Sequence, residues 1–288
     1  YTHEKKDMDY RFSTFFAYPS LVAGTPAQIN DFIKAVDTGN LGTILLPAEA
    51  PLSATKSFSN VSWKLGLDYQ VTSGTLLYAL VSRGFKGGAF NSTANFSADI
   101  LNANGQVISV KPETLTDYEI GVKSDIIPRR LRVNASLFYY DYRNYQTNQL
   151  IPSLSIQVLS NLPKAKVYGG ELELTAEPID HLTINVGTGL LHSEITKALD
   201  PSLVGNRLPL AEDFNWNAMI RYDLETGLGT FSPEFSAKHV GSYFGTKENT
   251  KKLGNYTLMN AQIGYESPGK TFYGSLWVTN LADKTVPI

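Results

Sequence analysis

The residue types that most often carry catalysis or metal binding are few in this chain and badly placed for either. The four histidines, His3, His181, His192 and His239, are scattered, with no second ligand at metal-holding spacing. Cysteine is absent, which removes thiolate nucleophiles, thiolate metal sites and disulfides together. Glu171 and Glu173 share a strand face, but nothing near them tunes one as an acid and the other as a base. No phosphate-cradling loop and no nucleophile elbow occurs. Gly187-Thr188-Gly189 lies inside an alternating run and reads as relief of crowding. Glycosylation-type matches at Asn91, Asn95 and Asn255 recur at Asn134 in mid-strand, which marks them as chance. The sequence supports no enzyme, no resident metal and no cofactor.

What remains is chemistry of non-covalent capture. Phe85, Phe90, Tyr145 and Phe244 fall at or in polar connections and suit stacking on a flat aromatic group. Arg83 and Lys86 suit an anionic chelate. The same residues also suit a lipid boundary, where aromatic belts form and cations meet anionic headgroups.

Such side chains need elements to hold them, and the repeating element is a long alternating run. Leu131, Val133, Ala135, Leu137 and Tyr139 alternate with Arg132, Asn134, Ser136, Phe138 and Tyr140. Trp216, Ala218, Ile220 and Tyr222 alternate with Asn217, Met219 and Arg221. A period of two puts one set on each face of a sheet. Ten or eleven strands are predicted this way: 1–10, 59–70, 75–83, 113–124, 130–145, 164–177, 181–195, 211–222, 230–243, 256–266 and 271–279. Most approach the roughly ten residues a tilted barrel strand needs to cross a bilayer. Globular strands average about five or six.

The connections alternate in length. Short turns are predicted at 71–74, 126–129, 178–181, 225–229 and 267–270, and long polar connections at 11–58, 84–112, 146–163, 196–210 and 244–255. Transmembrane barrels have this asymmetry, with short periplasmic turns and long external loops. The first long connection is expected to hold a short helix from Thr25 to Gly39, whose apolar side is Ile29, Phe32, Ile33 and Val36. It reads as packing for the loop, with a lid over a binding site as the sharper alternative.

Bulk properties agree with a membrane wall. The 288 residues are 42% hydrophobic and 18% charged, so the chain is not a disordered polyelectrolyte. A net charge of −2 gives no basic footprint for nucleic acid. No run reaches the roughly 18 apolar residues of a spanning helix, which says nothing against spanning strands. The polar face carries Glu119, Lys123, Arg132, Asn134, Glu171, Glu173, Arg221, Glu234, Lys238 and Gln262. That many ionisable groups cannot fill a dry core, so the interior must hold water or a polar plug.

Three stretches resemble the barrel of TonB-dependent outer-membrane receptors. Val110 to Ser124 contains Pro112-Glu113 and then Tyr118-Glu119, Gly121 and Lys123, similar to that family's "PE…YE-G-K" strand. Ser82 to Asn91 is similar to its glycine-rich strand exit, and Asn280-Leu281-Ala282-Asp283-Lys284 resembles its "NL-DK" element. The resemblance implies an all-β fold: part of a 22-stranded antiparallel transmembrane barrel closed by a plug. It implies that residues 1–288 are one partial barrel domain, without the plug and the final strand. It further implies a Gram-negative outer-membrane location, contact with lipid and lipopolysaccharide, coupling to the TonB complex, and uptake of a scarce nutrient such as a ferric siderophore. A fragment with open edges is expected not to transport alone. A smaller complete barrel without TonB coupling, a passive porin or an outer-membrane hydrolase, is the alternative, marked by an even strand count and a terminal aromatic strand. A soluble sandwich domain is a third reading, which strand length and loop alternation disfavour.

Overall fold

A computed structural model describes residues 2–10, 22–23, 45–46, 52–90, 109–151 and 156–286. The helix expected between Thr25 and Gly39 lies outside the described residues. In chain order the first strands are β1 (Thr2–Tyr10), β2 (Val22–Ala23), β3 (Leu45–Leu46), β4 (Leu52–Asn60), β5 (Trp63–Thr72), β6 (Thr75–Lys86), β7 (Ala89–Phe90) and β8 (Ser109–Val110). There follow β9 (Glu113–Ile127), β10 (Leu131–Ile151), β11 (Ile156–Ala176), β12 (Leu182–Lys197) and β13 (Phe214–Tyr222). The last are β14 (Leu224–Thr226), β15 (Gly229–Phe244), β16 (Lys252–Glu266) and β17 (Tyr273–Val278).

The main sheet has eleven strands, in the order β17-β16-β15-β13-β12-β11-β10-β9-β6-β5, with β14 beside β15. Along this path each strand lies beside the one before it in the path's own chain order. The turns predicted between strands are present, and Arg129, His181 and Lys270 in them hold positive φ of 64°, 67° and 55°. Compact packing divides the chain into two units. One comprises Tyr1–Trp63, Arg83–Leu115 and Arg143–Pro163, and the other comprises Lys64–Ser82, Thr116–Tyr142 and Lys164–Ile288.

The structure corrects three expectations. The strand expected at 1–10 is β1, Thr2–Tyr10, but it pairs with β4, from Thr2↔Asn60 to Tyr10↔Leu52, and not with the main sheet. Residues 52–58 therefore belong to a strand, where a loop is predicted. The segment Leu52-Ser53-Ala54-Thr55-Lys56-Ser57 is too polar for alternation to reveal it. Likewise 146–163 is mostly strand, since β10 runs to Ile151 and β11 begins at Ile156. Asn144, Gln146, Thr147 and Asn148 hide the period, yet backbone pairing does not depend on an apolar face.

Register fixes the two faces. Leu174, Val186, Ala218, Ala237 and Met259 align on one side, and Glu173, Gly187, Asn217, Lys238 and Leu258 on the other. The apolar side is bare: Leu67 is 71% and Leu276 76% exposed, with Leu65, Ile120, Leu137, Leu172, Leu190, Ile220, Phe235 and Ile263 also open. In water each would forgo roughly 1.5–3 kcal/mol of burial, so this face belongs in lipid. Across it runs an aromatic row: Tyr118–Tyr139 at 6.3 Å, Tyr139–Tyr168 at 6.5 Å and Tyr168–His192 at 5.0 Å between ring centroids. Rings with polar tips in one line are what a lipid–water boundary selects.

Candidate ligand-facing wall and loop bases

In the larger unit, the polar face of β9 is a cradle for one side chain. The Tyr78 hydroxyl on β6 donates to Glu119 Oε1 at 2.5 Å, and Lys123 Nζ lies 5.7 Å from its ring centroid. A Cβ at position 121 would fall 2.5 Å from the ring, so only glycine lets the phenol lie flat there. Glu119, Gly121 and Lys123 occupy alternate positions because all three meet Tyr78. Tyr118, on the opposite face, joins the aromatic row.

Some of the other polar-face groups are also paired nearby. Arg132 is bidentate to Asp125 at 2.6 and 3.2 Å, Arg221 Nε donates to Asp223 at 2.8 Å, and Asn134 Nδ2 reaches Glu173 at 3.3 Å. These contacts satisfy a hydrated wall and set up no proton transfer. Each histidine whose side chain is described has a local setting: His192 ends the aromatic row, His239 stacks on Trp216, and His181 occupies a turn.

Two connections of this unit, 198–213 and 245–251, fold together. Asp200 caps a short 3-10 helix, Pro201–Leu203, by accepting from Ser202 N. Leu203 and Leu208 are buried beneath it, beside the fully buried Ser193 and Ile195 of β12. Arg207 Nη1 pairs with Asp213 Oδ2 at 3.1 Å, and its Nη2 donates to the carbonyls of Leu191 and Ala211 at 3.3 Å. Asn249 accepts from Arg207 N at 2.7 Å and donates to Arg207 O at 3.0 Å, bridging the two connections. Burial pushes the Asp213 carboxyl up, but the Ser242 hydroxyl and the Arg207 guanidinium outweigh this and hold it below the ordinary carboxylate range. Burial lowers Lys247, against the opposing pull of Glu248 and Asp200. Phe244 stands at the base of this assembly, its carbonyl accepting from Leu210 N at 2.8 Å.

The smaller unit holds the loop base on which two motif stretches meet. Gln146 Nε2 donates to the carbonyls of Gly87 at 2.8 Å and Lys111 at 3.1 Å, and Gln146 N donates to Glu113 Oε2 at 2.6 Å. Asn161 accepts from Lys111 N at 2.7 Å and donates to Lys111 O at 3.1 Å. A Cβ on Gly88 would lie 2.3 Å from the Phe58 ring and 2.6 Å from Val110 O. Pro112 follows Lys111 and leads into β9, where Glu113 accepts the Gln146 amide.

Of the capture candidates, Arg83, Phe85, Lys86, Phe90 and Tyr145 fall in this smaller unit, and Phe244 falls in the other. Arg83 and Lys86 are exposed, and the four rings are half-buried. Near the C-terminal end, Asn280 is a turn former: its N donates to Asn260 Oδ1 at 3.0 Å, and its side chain bonds both N and O of Lys284. Leu281 N donates to Met259 O at 2.8 Å, and Asp283 N to Asn280 O at 2.9 Å. Sequence reasoning missed Gln146, Asn161, Arg207 and Asn249. Each is a single polar residue in a polar stretch, and no spacing distinguishes it.

Residues 28–281 match the family model for "TonB dependent receptor-like, beta-barrel". A probable TonB-dependent siderophore receptor, PiuA of Acinetobacter baumannii, is 25% identical over 245 residues, or 82% of this chain and 32% of that protein. Among solved structures, the ferric yersiniabactin uptake receptor FyuA from Yersinia pestis superposes with a TM-score of 0.68 at 21% identity. That match covers 83% of this chain and 35% of FyuA. The crystal structure of A. baumannii PiuA gives 0.62 at 24% identity, over 82% of this chain and 33% of its own. The chain thus spans about a third of the relatives it matches.

Proposed function

The chain belongs to the TonB-dependent receptor β-barrel family, and on that premise we propose that it is part of the wall and external loops of an outer-membrane receptor importing a ferric siderophore. The observation that carries this reading is the division of faces. Bare leucines and an aromatic row lie on one side, and charged and polar side chains on the other, over strands up to 21 residues long. Such a sheet needs lipid outside and a polar filling inside. Arg83, Phe85, Lys86, Phe90, Tyr145 and Phe244 are assigned to ligand contact, the cations meeting an anionic chelate and the rings its aromatic groups. Pro112, Glu113, Tyr118, Glu119, Gly121, Lys123, Asn280, Leu281 and Asp283 keep structural roles. Lipid and lipopolysaccharide border the outer face, and energy comes from the TonB complex.

The test is uptake of radioiron-loaded catecholate, hydroxamate and citrate chelates by iron-starved Gram-negative cells whose receptor contains this chain. Uptake of at least one should be saturable and vanish without TonB. Non-saturable entry that survives loss of TonB would favour the passive porin instead.

A further inference from the structure

Gly87 and Lys111 flank the short β7–β8 pair, in which Ala89 faces Val110 and Phe90 faces Ser109. Both flanks are gripped through main-chain atoms by two side chains from elsewhere in the sequence. Asn161 meets Lys111 as a neighbouring strand would, accepting from its N–H and donating to its carbonyl. Its amide also donates to Asn144 O at 2.7 Å. One N–H and two carbonyls around a single amide leave one workable orientation of its oxygen and nitrogen. Gln146, only 7% exposed, spans the carbonyls of Gly87 and Lys111, which joins the two flanks directly.

We propose that Gln146 and Asn161 form a clasp that positions the segment bearing Phe85, Lys86 and Phe90 for ligand, an inference that rests on the capture reading above. Neither side chain is assigned to touch ligand. Gln146 holds both the exit from β6 and the approach to β9, and Asn161 holds the approach to β9. Losing the clasp therefore weakens capture and leaves the turnover of bound ligand alone.

The experiment uses the intact receptor with Asn161→Ala, Gln146→Met and Asn161→Asp. Methionine keeps the length of glutamine without its donors, and aspartate keeps the acceptor for Lys111 N–H while losing both donors. Hydrogen exchange at the Lys111 amide should quicken by roughly tenfold in Asn161→Ala, and by less in Asn161→Asp, which keeps an acceptor but turns its second oxygen against the Lys111 and Asn144 carbonyls. Amides of β12 to β16 should not change. For any of the three chelate classes that wild type imports, Asn161→Ala and Gln146→Met should raise the half-saturating concentration about tenfold at an unchanged maximal rate. Unmoved Lys111 exchange overturns the clasp. So does faster exchange with unchanged half-saturation, which leaves the two residues merely structural. If wild type imports no chelate the capture reading fails, and the positioning role falls with it. The Lys111 exchange still reports separately whether the clasp forms.

Discussion

Tyr78 and Gly121 make a pair whose energetics can be separated. Gly121→Ala would drive a methyl into the ring of Tyr78, because the missing Cβ falls 2.5 Å from it. Overpacking of that kind costs about 1–3 kcal/mol. Tyr78→Ala should relieve the clash while losing the bond to Glu119, so the double variant should be less destabilised than the sum of the singles. Denaturant unfolding of the receptor in detergent measures this, and strict additivity would show that the ring does not lie over Gly121. Arg207 is a second residue with a defined role. Its guanidinium holds Asp213, Leu191 and Ala211 at once. Arg207→Ala should destabilise the 198–213 connection by about 2–3 kcal/mol, read as faster exchange of the Leu191 amide, which donates to Asp213 O. The pH dependence has a definite sign. A carboxyl lowered in the folded state stabilises fully above its unfolded value near 4, and that contribution is lost as pH falls through the lower folded value. Protection at Leu191 should therefore decline on acidification below about pH 4, and Asp213→Asn should flatten the decline.

For the strands, the two faces predict opposite tolerance. Leu137→Arg, on the bare apolar face, should cost about 2–4 kcal/mol if it lies near the bilayer midplane. Glu173→Gln on the other face should cost little, since Asn134 can still donate to the amide oxygen. Folding yield into lipid vesicles compares them, and equal penalties would contradict the assignment of faces. The main-sheet strands were legible in sequence wherever one face is uniformly apolar, as in β12, β13 and β15. They were illegible where both faces are polar, as in β4 and in the Asn144–Asn148 part of β10. The loop bases were illegible for a different reason. Asn161 and Asn249 act on main-chain atoms tens of residues away, and such bonds leave no periodic trace. The motif around Tyr118 could be matched to a family, but its purpose needed Tyr78, forty-one positions from Glu119.

Across the whole chain, β5 and β17 each pair on one side only among the described residues. An unpaired ladder edge recruits another. The 288-residue chain purified by itself in detergent is expected to self-associate, with cysteine pairs placed on β5 and β17 of different copies cross-linking. A monodisperse monomer would contradict this. The sheet's strength is thus a property of continuous pairing, while the loop bases are stabilised by local polar networks. The two can be perturbed separately.

Gln146 and Asn161 grip carbonyls and an amide, never a side chain, so they read no letter of the sequence between the two points they hold. The anchorage therefore rests on main-chain atoms at positions 87 and 111 alone. A foreign binding loop is thus best grafted between Phe90 and Ser109, which keeps Gly88 against Phe58 and keeps the Ala89–Val110 pair.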